Sequence, residues 1–464
     1  MANTQSFAIQ PEAQSEKASR LVQQLQSLLG SDRVTDWNNA LENLHTQAAE
    51  AIARSPSPAC ILYPHNQAEL AEAVTYAHHH QLTLMTLGQG SKLHWGGLGD
   101  AVDILVSTAR MNRLIDHAVG DLTVTAEAGM SFATLQQHLQ KERQLLGIDP
   151  SFGDRATLGG IIATADTGSL RQRYGGVRDM LIGLSFVRAD GQVAKAGGQV
   201  VKNVAGYDLM KLMTGAYGTL GIITQATFRL YPIPPDSQTI LLTGDPEAIA
   251  TIANQVTVST LTPNQFDLLS PALVQQMDIG TGMGLLLRFQ SIAVSLEQQV
   301  SQVEAIASNI EPRSNQNGTG LQSCCLHQDD ELNLWGQLRE TMESCPHQVP
   351  ITCKIGVEPR HSAIALIELE AALFMKPLIQ IHRSSGIGTL RLEGEAIVPQ
   401  AILKLRQICE SYGGYLTLLE APPSWKRQID VWGYPGNALP LMQRIKHQFD
   451  PDRRLNPARF VGGI

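Results

Sequence analysis

Ala156-Thr157-Leu158-Gly159-Gly160-Ile161-Ile162-Ala163-Thr164-Ala165 is the stretch whose reading decides the fold. It is a run of small and apolar residues broken by a glycine pair, and it leads through Gly168 to Tyr174-Gly175-Gly176-Val177-Arg178-Asp179. Such a run is either a glycine-rich turn region in a large sheet or a wall that lies flat against a planar ring. In the second case its N–H groups and Thr hydroxyls turn to phosphate or ring heteroatoms. Taken alone, the two readings are even. The run lies inside the densest glycine region of the chain, residues 147–221, which hold 15 of its 40 glycines. Glycine weakens helix and strand interiors, so this density requires turns, positive φ angles or backbone brought close to a ligand.

Working outward, residues 58–107 alternate strand, helix and strand. An apolar Ile61-Leu62-Tyr63 strand precedes a helix opening at Asn66 with Glu69 three residues on, a capping-box arrangement. The strand at 83–87 then runs into Gly88-Gln89-Gly90-Ser91-Lys92, followed by Gly96-Gly97, before a strand at 102–107. Successive N–H groups in such a turn converge on one point and bind an anion, although an ordinary surface loop has the same composition. A Rossmann fingerprint is excluded, because Leu93 stands where the third glycine belongs. His78-His79-His80 closes the intervening helix, where imidazoles complement the dipole; three consecutive positions diverge, which disfavours metal binding.

Strands are expected at 122–128, 181–188, 192–196 and 222–230, with a helix at 132–141. Lys202-Asn203-Val204-Ala205-Gly206-Tyr207-Asp208-Leu209 and Gly218-Thr219-Leu220-Gly221-Ile222-Ile223 close the glycine region. There Lys202 and Tyr207 either face a cofactor or lie on the surface. Tyr231-Pro232-Ile233-Pro234-Pro235 reads as a stiff extended linker and a domain boundary. Beyond it come strands at 285–290, 351–357, 378–382, 389–392 and 415–419. Helices are expected from a cap at Ser295 with Gln298, over 361–373 and over 399–412, with a polar loop at 315–320. That order predicts an α+β cap domain with an antiparallel, ferredoxin-like sheet. The organisation expected is a helical arm (1–55), a first domain (56–234), the cap (235–440) and a C-terminal segment (441–464). In the arm, Leu21, Leu25, Leu28 and Leu29 have helical spacing. The last segment carries Asp450-Pro451-Asp452-Arg453-Arg454-Leu455-Asn456-Pro457.

Composition sets the outer bounds. Net charge is −8, with 35 basic and 43 acidic residues and no basic stripe, which argues against a nucleic-acid partner. No apolar run is long enough for a membrane span, and the first residues lack a secretory h-region, so the expected location is cytoplasmic. The six cysteines show no C-x-x-C spacing, the usual mark of an iron–sulfur cluster or zinc ribbon.

In this order and at these separations, the glycine loop, T-L-G-G, G-Y-D-L, G-T-L-G-I and D-P-x-x-x-x-N-P pieces resemble the flavoprotein family typified by vanillyl-alcohol oxidase, the PCMH type. The resemblance covers residues 58–235 and the last 24. Within the family, the stretch 200–209 is most similar to subunits of the E type in bacterial glycolate oxidases. The resemblance implies a two-subdomain FAD-binding domain under the cap. Residues 88–92 would wrap the FAD pyrophosphate. Thr157, Leu158, Gly159, Gly160, Thr164, Ala165, Gly168 and Gly175 would line diphosphate and flavin, with Gly221, Ile222 and Ile223 on the adenine or ribose side and Asn456 near the flavin. Ser91 stands where some relatives carry a flavin-linked histidine, so FAD would be non-covalent. A glycolate or similar 2-hydroxy acid would be oxidised with partners: a histidine-bearing FAD subunit and an iron–sulfur subunit, through which the assembly would dock peripherally on a membrane.

One departure accompanies the resemblance. Hydroxy-acid-oxidising relatives carry a G-H-x-G-D-G-N-x-H segment late in the cap. Here the comparable residues are Tyr412-Gly413-Gly414-Tyr415-Leu416-Thr417-Leu418-Leu419-Glu420, and no histidine lies between His382 and His447. The residues themselves therefore point to no catalytic base or metal. The alternatives are a self-sufficient dehydrogenase of another hydroxy acid, with Lys202, Tyr207, His382 or Arg383 near the ring, and an FAD-fold scaffold.

Overall fold

The computed structural model describes residues 11–53, 57–199, 206–310, 320–343, 351–394 and 397–464. Among the described residues, two main sheets and a two-stranded ladder precede the cap. The first has the order Val34–Asp36, Cys60–Leu62, Ile104–Ser107, Leu84–Leu87, and its last three strands are parallel. Parallel strands need crossovers: the helix Gln67–His79 carries the chain from Cys60–Leu62 to Leu84–Leu87, and the loop after Leu87 returns it to Ile104–Ser107 between them. Asn66 caps that helix by accepting from Ala68 N and Glu69 N at 3.0 Å, while Glu69 reaches back to His65 N at 2.8 Å, one residue before the expected partner. The second sheet is antiparallel, in the order Leu114–Ala118, Thr123–Glu127, Ile222–Arg229, Leu181–Val187, Val193–Gly197. The helix Leu158–Thr164 packs beside it and contributes Leu158, Ile161 and Ile162 to its core.

The N-terminal arm is part of this body. Its helix Pro11–Leu29 buries Val22, Leu25 and Leu29 in the core of the first sheet, whereas Leu28 lies outside it.

From Asp236 the chain builds one eight-stranded sheet, antiparallel throughout. Its order resolves into two ferredoxin-like halves. In the first, Asp236–Gly244, Gln265–Leu269, Met283–Ser291 and Gln322–His327 take the spatial order four, one, three, two. In the second, Ile351–Gly356, Leu378–His382, Ile387–Leu392 and Tyr415–Glu420 take two, three, one, four. The second strand of each half pairs with the other, Asp267 opposite His382, fusing the halves. One face is covered by the helices Pro246–Val258, Ala293–Ser308, Ser362–Ala371 and Pro399–Ser411 over the largest apolar core.

Two expectations are corrected. Tyr231–Pro232 is not a bare linker, because it pairs with Gln144–Leu145. The helix expected from Ser295 starts at Ala293, with Ile292 as its extended N-cap; Ile292 O already accepts from Ser295 N and Leu296 N. Most of the expected polar loop, residues 315–319, lies outside the described residues.

Candidate functional site

The loop after the strand Leu84–Leu87 opens onto a cavity of about 100 Å3. Gly88, Gln89, Gly90, Ser91 and Lys92 form one wall; Thr157, Gly159, Gly160 and Thr164 a second; Gly221, Ile222 and Ile223 a third. Among the described residues, no protein acceptor takes the N–H of Gln89, Gly90, Ser91 or Lys92. Four consecutive unpaired amides at a cavity, of which those of Gly90 and Lys92 belong to buried residues, are the donor set an anion completes, since buried N–H groups are otherwise paired. The glycines have local reasons to be glycine. A Cβ on Gly88 would strike the Thr157 side chain, and Gly90 has φ +83°. This donor set, close against a wall of small residues, fits the diphosphate of a dinucleotide.

Two buried cations fix the loop from behind. Arg459, 5% exposed, donates to the carbonyls of Leu93, Trp95 and Gly97 at 2.6–2.7 Å, and to Ala51 O at 3.3 Å. Lys426 donates to the carbonyls of His94, Gly96 and Leu419. Burial, with Arg459 nearby, pushes the Lys426 ammonium down to about 7. Asn456 also lines the cavity and ties its walls together. Its Oδ1 accepts from Thr86 N at 2.9 Å, its Nδ2 donates to Tyr217 O at 3.0 Å, and its backbone N–H donates to Leu84 O at 2.8 Å.

Other expected site residues fall elsewhere. Gly168 lines a second, adjoining cavity. Leu158 is fully buried in the core, Ala165 is the left-handed cap of its helix, and Gly175, with φ +83°, closes the short helix Arg171–Tyr174 beside Asp179. None of these three lines either cavity. Lys202 to Ala205 of the third motif lie outside the described residues, and Tyr207 is 90% exposed, away from both cavities.

The second cavity, about 410 Å3, shares Thr164 and Tyr217 with the first and lies between it and the cap sheet. Cap strands alternate apolar residues toward their helices with polar ones that line this cavity, Gln265, Thr352, Lys354, Gln380 and His382, while Asp267 is fully buried behind His382. His382 Nδ1 donates to Asp267 Oδ1 at 2.7 Å. That fully buried carboxylate also accepts from Ser169 Oγ at 2.8 Å and Gln380 Nε2 at 3.0 Å. The Lys354 ammonium has no hydrogen-bond or ion-pair partner among the described residues, and burial holds it below the ordinary lysine range. Lys92 and Asp166 pair at 2.5 Å at the junction of the cavities.

Two buried carboxylates are pushed in opposite directions. Burial raises Asp149 to about 7, only partly offset by amides of Leu170 and Gly168 and by His382. Burial also opposes ionisation of Glu420, but bonds from His94, Thr352 and Trp95 outweigh it and hold the carboxyl near about 2. The Glu420–His94 contact, Phe152 N to Glu343 at 2.8 Å, and Ser169 to Asp267 join the cap to the first domain.

Sequence reading singled out neither Lys354 nor Asp267, and it held His382 only as an alternative. The available signal was the polar-apolar-polar alternation Gln265-Phe266-Asp267, Thr352-Cys353-Lys354 and Gln380-Ile381-His382. That alternation does not distinguish a solvent face from a cavity face.

Residues 58–197 match the family described as FAD binding domain. The chain is 25% identical to a mitochondrial D-lactate dehydrogenase [cytochrome] of Arabidopsis thaliana, over 95% of this chain and 80% of that one. It is 26% identical to glycolate oxidase subunit GlcD of Bacillus subtilis, over 87% and 89%. Glycolate oxidase subunit GlcE of Escherichia coli is 34% identical over 36% of this chain and 47% of that one. Among solved structures, 4-ethylphenol oxidase from Gulosibacter chungangensis shares the fold, with a TM-score of 0.71 at 13% identity and 98% coverage of both chains. FAD is the cofactor, and the chain is an FAD-dependent oxidoreductase.

Proposed function

We propose that this chain oxidises a small 2-hydroxy acid, of the glycolate or D-lactate type, to the 2-oxo acid. The observation that carries this reading is the unpaired Lys354 ammonium in a cavity contiguous with the amide cradle. Residues 88–92 hold the diphosphate of a non-covalent FAD. Ser91 offers no ring nitrogen for attachment, and His94 in the same loop is engaged by Glu420. Bound FAD supplies a two-electron acceptor for the hydride leaving the α-carbon. Lys354 takes the substrate carboxylate by a charge-assisted hydrogen bond and so fixes the orientation of the α-carbon. The cap face closes over the substrate and excludes water.

The names of the relatives, D-lactate dehydrogenase and glycolate oxidase subunits, support the substrate class. In a complex, a histidine-bearing FAD subunit and an iron–sulfur subunit would carry the electrons onward; no helix among the described residues is long and apolar enough to cross a membrane. The test is anaerobic addition of glycolate, D-lactate and D-2-hydroxyglutarate to the purified yellow protein. Bleaching of the flavin band by at least one acid is expected. A flavin that stays oxidised across the panel overturns the reading, and affinity purification from native cells reports the partners.

A further inference from the structure

The sequence lacks the histidine segment of hydroxy-acid-oxidising relatives, yet the fold assembles a histidine–carboxylate pair at the substrate cavity. His382 ends the strand Leu378–His382 and stands directly opposite Asp267 across the seam joining the two halves of the cap sheet. Asp267 is 0% exposed and accepts from three donors: His382 Nδ1, Ser169 Oγ and Gln380 Nε2. A carboxylate so saturated fixes the imidazole's orientation and tautomer, with the proton on Nδ1. Nε2 is then the lone-pair nitrogen. It has no hydrogen-bond partner among the described residues, and His382 lines the 410 Å3 cavity along with Lys354.

We propose that His382 is the catalytic base of this chain and Asp267 its positioning residue. The proposal rests on the hydroxy-acid reading above. With the substrate carboxylate on Lys354, the α-hydroxyl gives its proton to His382 Nε2. The α C–H electron pair leaves with its hydrogen as hydride to the flavin acceptor, and the C–O bond becomes the carbonyl of the 2-oxo acid. One substrate thus loses one proton and one hydride, with FAD as oxidant. Asp149, another acid–base group at this cavity, is poorly suited to the role: its oxygens are taken by Gly168 N and Leu170 N at 3.0 Å, with Gln265 Nε2 at 3.5 Å.

The groups facing His382 set the direction of its titration. Burial and Lys354 push the imidazole down, but Asp267, aided by Asp149, outweighs them and leaves it above the ordinary 6.5. A base must be neutral to act, so turnover falls as pH drops through that raised value.

The test is stopped-flow flavin reduction with whichever acid reduces the wild-type protein, across pH, for His382→Gln and Asp267→Asn. Flavin content and oxalate binding are measured alongside. Glutamine keeps a donor for Asp267, and Asp267→Asn leaves the imidazole in place, so either variant serves if the other fails to fold. The expected result is roughly a 100- to 10,000-fold loss of reduction rate in H382Q. Its oxalate affinity and flavin content should remain within about threefold, and the acidic limb of the pH profile should be lost. D267N should keep the limb and shift it to lower pH. An active wild type with H382Q reducing at the wild-type rate overturns the base while leaving the hydroxy-acid reading intact. A wild type inert to every acid overturns both.

Discussion

Glu420 and Asp149 show how two buried carboxyl groups lining one cavity contribute opposite pH dependences. Glu420, near about 2 in the fold against 4.5 when unperturbed, is ionised where the unfolded carboxyl takes up a proton. Its stabilisation is complete above 4.5 and is lost as pH falls toward 2. Asp149, at about 7 against 3.8, keeps a proton that the unfolded chain has released, so stability drains as pH rises from about 4 to 7. Glu420→Gln should therefore flatten the acid limb of a melting-temperature profile and lower the midpoint at pH 7 by roughly 3–5 °C, a cost typical of breaking a buried pair in a chain this long. Asp149→Asn should flatten the limb between pH 4 and 7 and leave the acid limb in place. At Lys354 the consequence is for binding: Lys354→Met should weaken oxalate and raise KM by about 10- to 150-fold, the worth of a charged hydrogen bond, with flavin content unchanged. Isothermal titration with oxalate checks it.

At the scale of elements, the glycine loop, the short helix Pro423–Lys426 and the C-terminal tail form one device, in which Arg459 and Lys426 hold carbonyls of residues 93–97 while the amides of residues 89–92 remain open to the cavity. Arg459→Met should leave buried carbonyls unpaired and release FAD. Flavin-to-protein absorbance after gel filtration should fall at least tenfold, with a lower melting temperature. Gly90→Ala places a side chain at φ +83° and should weaken FAD by about 5- to 30-fold, from roughly 1–2 kcal/mol of backbone strain. The loop was legible in the sequence because glycine density and strand-loop-strand order are local features. The device behind it was not, since Arg459 and Lys426 reach carbonyls more than 300 residues away. The first half of the cap was only partly legible. Asp236–Gly244 carries its apolar residues Ile240-Leu241-Leu242 consecutively rather than in alternation, and Gln322–His327 is a largely exposed edge strand, so only their pairing in the sheet marks them as strands.

For the whole molecule, the two cavities proposed for FAD and substrate meet at Thr164 and Tyr217, with a cap sheet built from two fused halves above them. Adding FAD to flavin-free protein should stabilise the folded chain by about 2.7 kcal/mol at one hundred times its dissociation constant, seen as a rise in melting temperature. No change would place the cofactor elsewhere. The sequence by itself determined the location of the glycine loop, the class of the first domain and the α+β character of the cap, because spacing, glycine and alternation act over a few residues. Only the tertiary structure decided which polar alternations face a cavity rather than water. Asp267 and His382 are 115 residues apart and become a pair only when the two halves of the cap join along that seam.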